Sequence, residues 1–339
     1  MTDTPTTAPA PPAASIEGNG FSRRDGMRAA AAAALALPLT VGVAPSANAA
    51  GAAGTSTGSA AGTADVPRTS AAAAATPAAS ASALRAMTFN LRFASDARPN
   101  SWAERRPVMR TLLRRERPHL LGTQEGVYGQ IRDIAQDLGP HYDWIGTGRE
   151  GGSRGEFMAV FYDTQRLAPL EYDHFWLSGT PYVIGSNTWG NAVVRMATWV
   201  RFRDLRSGGQ FYALNTHFDH RNQAARERSA TLIAERLRGL DPIVPKIVTG
   251  DFNVPAHQNP VYDTLLGQGG LIDTWDHAEQ RGKQYATFHG YRPLVPDGDR
   301  IDWIFTSPGI HTSYASINTF ALDGQFPSDH LPVQAHLEL

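Results

Sequence analysis

The chain has no cysteine, which excludes disulfides, thiolate zinc sites, iron–sulfur clusters and cysteine nucleophiles. Lysine is almost missing: Lys246 and Lys283 are the two in 339 residues, and arginine supplies the rest of the 31 basic side chains. Neither sign of charge is in excess, with 31 Lys+Arg against 32 Asp+Glu. No basic footprint therefore announces nucleic acid, and any groove for it must be local. Aromatics are absent from residues 1–83 apart from Phe21, and all seven Trp lie at or beyond Trp102. From 51 to 83, 28 of 33 residues are Ala, Gly, Ser or Thr. Such a stretch cannot bury enough apolar area to offset its ordering entropy, so residues 50–83 read as a disordered linker. Residues 84–339 are left to form one large domain with a sizeable core.

Long hydrophobic runs are also lacking. The nearest is Ala29–Ala44, uncharged, alanine-rich and 16 residues long, which is short for a membrane span. It follows Ser22-Arg23-Arg24-Asp25-Gly26-Met27 and precedes Ala47-Asn48-Ala49, a small-residue cleavage pattern. Residues 1–49 resemble a twin-arginine export signal. The resemblance implies recognition by the twin-arginine export machinery, cleavage near Ala49–Ala50 and a secreted protein that folds before export. A general secretion signal and a retained N-terminal anchor are the alternatives.

Beyond residue 84, strand-like and helix-like patterns mix. Leu84–Phe93, His119–Gln124, Phe157–Tyr162, Leu167–Phe175, Arg195–Phe202 and Phe211–Thr216 read as strands, as do Ile243–Thr249, Ile301–Thr306, Ile310–Phe320 and Val333–Leu339. Trp102–Arg117, Gln130–Leu138 and Gln223–Leu240 read as helices. Strands preponderate and only some are joined by helices. The expected class is α/β, two packed sheets covered by helices.

The chemistry collects at strand ends. In order these deliver Asn90, Glu125, His217, Asp251 with Asn253, Asp302, and Asp329 with His330. One such residue is a turn or cap; six, all Asn, Asp, Glu or His, are not. Carboxylates, amides and imidazoles are what a hard divalent cation and proton transfer to phosphate oxygens require. The flanking motifs are Thr123-Gln124-Glu125, Asn215-Thr216-His217, Gly250-Asp251-Phe252-Asn253, Arg300-Ile301-Asp302-Trp303 and Ser328-Asp329-His330. On these motifs, residues 84–339 resemble the endonuclease/exonuclease/phosphatase superfamily, a group including deoxyribonucleases, abasic-site endonucleases, sphingomyelinases and inositol-polyphosphate phosphatases.

The resemblance implies a four-layer αββα sandwich and a phosphoester hydrolase, with Mg²⁺, Mn²⁺ or Ca²⁺ held by Glu125, Asn90 and Asp329. It casts Asp251 and Asn253 on the scissile phosphate, His330 with Asp302 as a dyad, and His217 held by Glu156. Arg195 and Arg154 are expected on substrate phosphate. The His217–Glu156 pair, matched to the deoxyribonuclease branch, favours a phosphodiester, nucleic acid among the possible partners. Phosphomonoesterase, lipid phosphodiesterase and a dead binding module are the alternatives, and a monomer is expected. Three plainer readings accompany these. Arg105, Arg106, Arg110, Arg114 and Arg115 form a solvated helix face. Gly151-Gly152-Ser153-Arg154-Gly155 mimics a serine nucleophile elbow without its strand–helix context. The stretch from Phe175 to Pro181 either stacks a substrate ring or packs in the core.

Overall fold

A computed structural model describes residues 82–339; the export-signal reading, and the linker but for its last two residues, lie outside the described residues. The chain forms β1 (Leu84–Asn90), α1 (Trp102–Glu116), β2 (Leu120–Gln124), β3 (Gly126–Val127), α2 (Tyr128–Leu138), β4 (Tyr142–Ile145), β5 (Glu156–Phe157) and β6 (Val160–Asp163). It continues with β7 (Leu167–Trp176), β8 (Met196–Asp204), β9 (Gln210–His217), α3 (Gln223–Arg238), β10 (Lys246–Asp251), α4 (Pro260–Gly267) and β11 (Ile272–Asp273). Last come α5 (Thr274–His277), β12 (Gln280–Arg281), β13 (Asp302–Thr306), β14 (His311–Ile317) and β15 (Val333–Glu338).

Helix boundaries follow from capping. At the start of α1, Ser101 accepts from the Glu104 amide while the Glu104 carboxylate accepts from the Ser101 amide, a reciprocal capping box. Arg117 ends that helix in a left-handed conformation. Asn222 and Asn259 cap α3 and α4, and Pro260 stands at the first position of α4, where its missing N–H costs nothing. Helix α4 is too short to show in the sequence pattern. The expected strand over Phe157–Tyr162 is two strands, β5 and β6, which pair with different partners.

Two large mixed sheets result, in the orders β12-β14-β15-β1-β2-β6-β4 and β11-β13-β10-β9-β8-β7. Strand periodicity sorts the side chains. On β1, Met87 and Phe89 pack against Met109, Leu112 and Leu113 of α1 and Ile131 and Ile134 of α2. The alternate residues Leu84 and Ala86 meet Val200, Phe211, Ala213, Ile247 and Ile304 of the other sheet. That sheet turns Leu214, Val248 and Phe305 towards Ile233 and Leu237 of α3 and Val261 and Leu265 of α4. The layers are therefore helix, sheet, sheet, helix. Each fully buried aliphatic or aromatic side chain contributes about 1.5–3 kcal/mol.

The residues between the sheets change along the strands. Ala86 pairs with Leu120 and Ala213 with Ile247; one step on, Thr88 pairs with Gly122 and Asn215 with Thr249. A further step brings Asn90 beside Gln124 and His217 beside Asp251, itself paired with Asp302. An apolar core gives way to a polar layer and then to a row of acids, amides and imidazole at one end of the sandwich.

Candidate active site

At that end, Asn90 bridges the two sheets. Its Nδ2 donates to Glu125 Oε1 and to Asp251 Oδ2, each at 2.9 Å, while its Oδ1 accepts from the Arg92 amide at 2.9 Å. Glu125 Oε2 accepts from the Phe93 amide at 3.2 Å. Glu125 (φ 63°) and Asn253 (φ 55°) both have left-handed backbones, a conformation that disfavours any side chain and that here turns two functional groups inward. Asp251 Oδ1 accepts from the Asn253 amide at 2.9 Å. Burial, then the neighbouring Asp302 charge, push the Asp251 carboxyl up to about 7.

Two imidazoles flank Asp251 with opposite electrostatics. His330 Nδ1 stands 3.0 Å from Asp302 Oδ2, and its Nε2 lies 3.9 Å from Asp251 Oδ2. Burial works against its charged form, but the charge and hydrogen bond of Asp302, then Asp251 and Asp329, raise His330 to about 10. His217 Nε2 lies 2.9 Å from the Asn253 amide and 3.3 Å from Asp251 Oδ2. The Asn253 Nδ2 also donates to the Phe218 carbonyl, which orients the amide, so His217 Nε2 accepts from it. Burial, with Arg195, His330 and Arg149 nearby, holds His217 well below the usual histidine range, in its neutral form. One imidazole is thus kept cationic and the other neutral within a single site.

The donor set fits a divalent cation. Glu125 and Asp251 place carboxylate oxygens within 4.8 Å of each other and of a His330 ring nitrogen, which, held cationic, is not itself a ligand. Oxygen-rich donors of this kind suit Mg²⁺ or Mn²⁺. Glu125 meets only amide donors, from Asn90 and Phe93, among the described residues, so its negative charge is left for a cation to balance. Asp329 lines the same pocket and faces Arg92 Nε at 3.8 Å.

The opposite wall is cationic. The pocket, about 310 Å³, is bounded there by Arg149, Arg195 and His220. The Arg195 side chain is 4% exposed; its Nη2 donates to His220 Nδ1 at 3.1 Å, and its Nε is 4.0 Å from Asp219 Oδ2. Among the described residues, Arg195 Nε and Nη1 have no hydrogen-bond partner, although both are buried. Arg149 Nη1 pairs with Glu156 Oε2 at 2.6 Å, and the Arg149 carbonyl accepts from Trp176 Nε1 at 2.6 Å.

Of the residues expected in the site, Asn90, Glu125, His217, Asp251, Asn253, Asp302, Asp329, His330, Glu156 and Arg195 gather at this end. Three expectations need correction. Glu156 does not hold His217: the carboxylate is taken by Arg149, and burial raises its pKa. Arg154 is turned away, donating to the Glu150 carbonyl from an exposed turn. Asn90 presents its amide nitrogen, not its oxygen, to the carboxylates.

Arg149 was missed because a glycine-rich turn gave no hint that its arginine folds back onto the cleft. Arg105 is not on a solvated face; it is fully buried and donates to the carbonyls of Leu91, Arg92, Phe93, Asn100 and Pro327. Phe175, Trp176 and Leu177 are core residues. The serine-elbow mimic is the turn between β4 and β5, with no helix after it.

Comparison with known proteins agrees with the fold. The profile of the Endonuclease/Exonuclease/phosphatase family matches residues 87–330. No curated protein sequence matches the chain. Among solved structures, the chain is similar to an endonuclease/exonuclease/phosphatase from Bacteroides vulgatus, with 33% identity and a TM-score of 0.71, covering 76% of this chain and 99% of that one. It is equally similar to a mannosyl-6-phosphatase from Bacteroides thetaiotaomicron, with 34% identity and a TM-score of 0.71 over 76% and 100% of the two chains. D. rerio TDP2 in complex with a single-stranded DNA product shares the fold at 15% identity and a TM-score of 0.58, over 76% of this chain and 100% of that one. The chain belongs to the Endonuclease/Exonuclease/phosphatase family, and it is a phosphoester hydrolase.

Proposed function

We propose that this protein is a divalent-cation-dependent phosphomonoesterase acting on a small polar phosphate such as a sugar phosphate. The observation that carries this reading is the division of one small pocket into an acidic wall and an arginine wall. A phosphomonoester dianion has one more charge and one more non-bridging oxygen than a diester. The acidic wall needs a cation to accept it, and Arg195, two of whose N–H groups meet no acceptor among the described residues, supplies fixed positive charge opposite, beside the Arg149–Glu156 pair. Similarity to the mannosyl-6-phosphatase points the same way.

In this reading Glu125 and Asp329 would hold the cation, Asn90 would orient the Glu125 carboxylate through its Nδ2, and the ion would supply positive charge to the phosphoryl oxygens. Asp251 receives the proton of the attacking water. Asn253 and His217 fix the phosphoryl group, and the His330–Asp302 dyad presents a cationic imidazole to it. A phosphodiester substrate has lost its main support, since the His217–Glu156 pair is replaced by Arg149–Glu156. What still favours it is the pair of exposed aromatics at the mouth, Phe93 and Phe288, which suit base stacking.

The deciding experiment is phosphate release with Mg²⁺ or Mn²⁺ from mannose 6-phosphate and other hexose phosphates, beside bis-p-nitrophenyl phosphate, RNA and plasmid DNA. Turnover of the monoesters alone is expected; cleavage of the diesters alone would overturn the reading. Arg149→Met is expected to raise KM about 10-fold or more for monoesters, the scale of losing one charge-assisted hydrogen bond, with kcat less affected. Residues 1–49 are read as an export signal on their Arg23-Arg24 motif. Arg23→Lys with Arg24→Lys should retain the precursor in the cytoplasm, and an extracellular form still bearing residues 1–49 would refute cleavage.

A further inference from the structure

We propose that the buried polar layer one step beneath the catalytic residues sets the separation of the two halves of the site, with Asn215 and Gln124 as positioning residues. The Asn215 amide spans the gap between the sheets. Its Oδ1 accepts from Gln124 Nε2 at 2.7 Å and from Thr249 Oγ1 at 3.1 Å, and its Nδ2 donates to the carbonyls of Thr123 at 2.8 Å and Ala159 at 3.0 Å. Gln124 Nε2 also donates to Thr88 Oγ1 at 3.1 Å. All four side chains are buried.

Each member of this layer lies one or two residues before a site residue on the same strand. Thr88 precedes Asn90, Gln124 precedes Glu125, Asn215 precedes His217 and Thr249 precedes Asp251. The β1–β2 strands carry the metal-side residues Asn90 and Glu125, whereas β9–β10 carry His217 and Asp251. The distance across the gap therefore fixes the Asn90–Asp251 bridge and the spacing of Glu125 from Asp251. Gly122 makes the crossing possible: a β-carbon there would stand 2.1 Å from Thr249 Oγ1 and 2.6 Å from Asn215 Oδ1.

Stability alone does not call for this layer. An apolar core already joins the sheets one step below, and buried polar clusters are often replaceable by packed apolar residues at little cost. Gln124 Oε1 is even left buried without a partner among the described residues. Hydrogen bonds do what apolar contacts do not, holding two surfaces at one defined distance and register.

The proposal rests on reading this end of the sandwich as a cation-dependent phosphoester centre. The test compares wild type with the double variant Gln124→Met, Asn215→Leu, which removes both partners while keeping bulk. Calorimetric titration with Mn²⁺, phosphate-release kinetics and thermal melting are measured on each. The double variant is expected to melt cooperatively, to bind Mn²⁺ about 10-fold or more weakly, and to lose about 10-fold or more in kcat with KM little changed, the range for groups that support metal ligands. Thr249→Val, which deletes one hydroxyl, should shift Mn²⁺ affinity and kcat in the same direction by less, and keeps the test open if the double variant does not fold. Unchanged Mn²⁺ affinity and kcat per folded molecule, with or without lost stability, would overturn the proposal. Wild type that binds no Mn²⁺ would overturn the functional reading and this proposal with it, whereas equal binding by wild type and variants overturns this proposal alone.

Discussion

Glu125 and Asp251 face each other across one amide, and His330 is held cationic by Asp302, so single substitutions here should separate binding from chemistry. Glu125→Gln removes the carboxylate charge left for a cation; it should weaken metal binding and slow turnover while leaving the melting temperature nearly unchanged. Asp251→Asn and His330→Ala should each lower kcat by ~10²–10⁴, the range for losing general acid–base catalysis, with smaller effects on KM. Asp302→Asn should resemble His330→Ala because it removes the charge that keeps the imidazole cationic. Near wild-type kcat in His330→Ala would remove the dyad from the account. Most of these residues were legible in the sequence because each closes an apolar strand within a short motif. Arg149 was not legible: its position over the cleft depends on Glu156 and Trp176, contacts between turn and strands that no local pattern encodes.

At the level of elements, α1 both covers a sheet and braces the site. Arg105, fully buried, gathers carbonyls from the segment after β1 and from Pro327, two residues before Asp329. Arg105→Met leaves several of those carbonyls unpaired, and each costs about 1–3 kcal/mol, so a loss of several kcal/mol in denaturant unfolding is expected. A change below 0.5 kcal/mol would show that the buried guanidinium is dispensable. The helix periodicity placed α1 correctly but assigned Arg105 to solvent, because the pattern counts arginine as polar and cannot see the carbonyl cluster it meets. The strand over Phe157–Tyr162 was read as one for a related reason. Its two parts pair with β3 and with β2 and β4, and pairing partners are non-local. The sandwich itself was legible, since alternating strand residues with few joining helices leave little but two packed sheets.

Over the whole molecule, buried neutral imidazoles tie stability to pH. His119 is 6% exposed, its Nδ1 accepts from the Arg85 amide, and burial followed by nearby Arg85 and Arg166 lowers its pKa to about 3. The unfolded chain binds a proton at His119 near pH 6.5 and the folded chain does not, so folding stability falls as pH drops from about 6.5 towards 3. The slope from this residue is about 1.4 kcal/mol per pH unit in that window. His119→Asn, which keeps an acceptor for Arg85, should flatten the fall in unfolding free energy between pH 6.5 and 4; an identical slope would exclude His119 as a source. The claim on which the rest depends is that the acidic wall works through a divalent cation. The direct test is phosphate release from a hexose phosphate by chelator-stripped protein, before and after Mg²⁺ or Mn²⁺ is restored, with wild type and Glu125→Gln in parallel. Negligible turnover is expected when stripped, with full recovery in wild type on adding the metal and a much higher metal requirement in Glu125→Gln; undiminished turnover by stripped wild type would contradict a cation-dependent acidic wall.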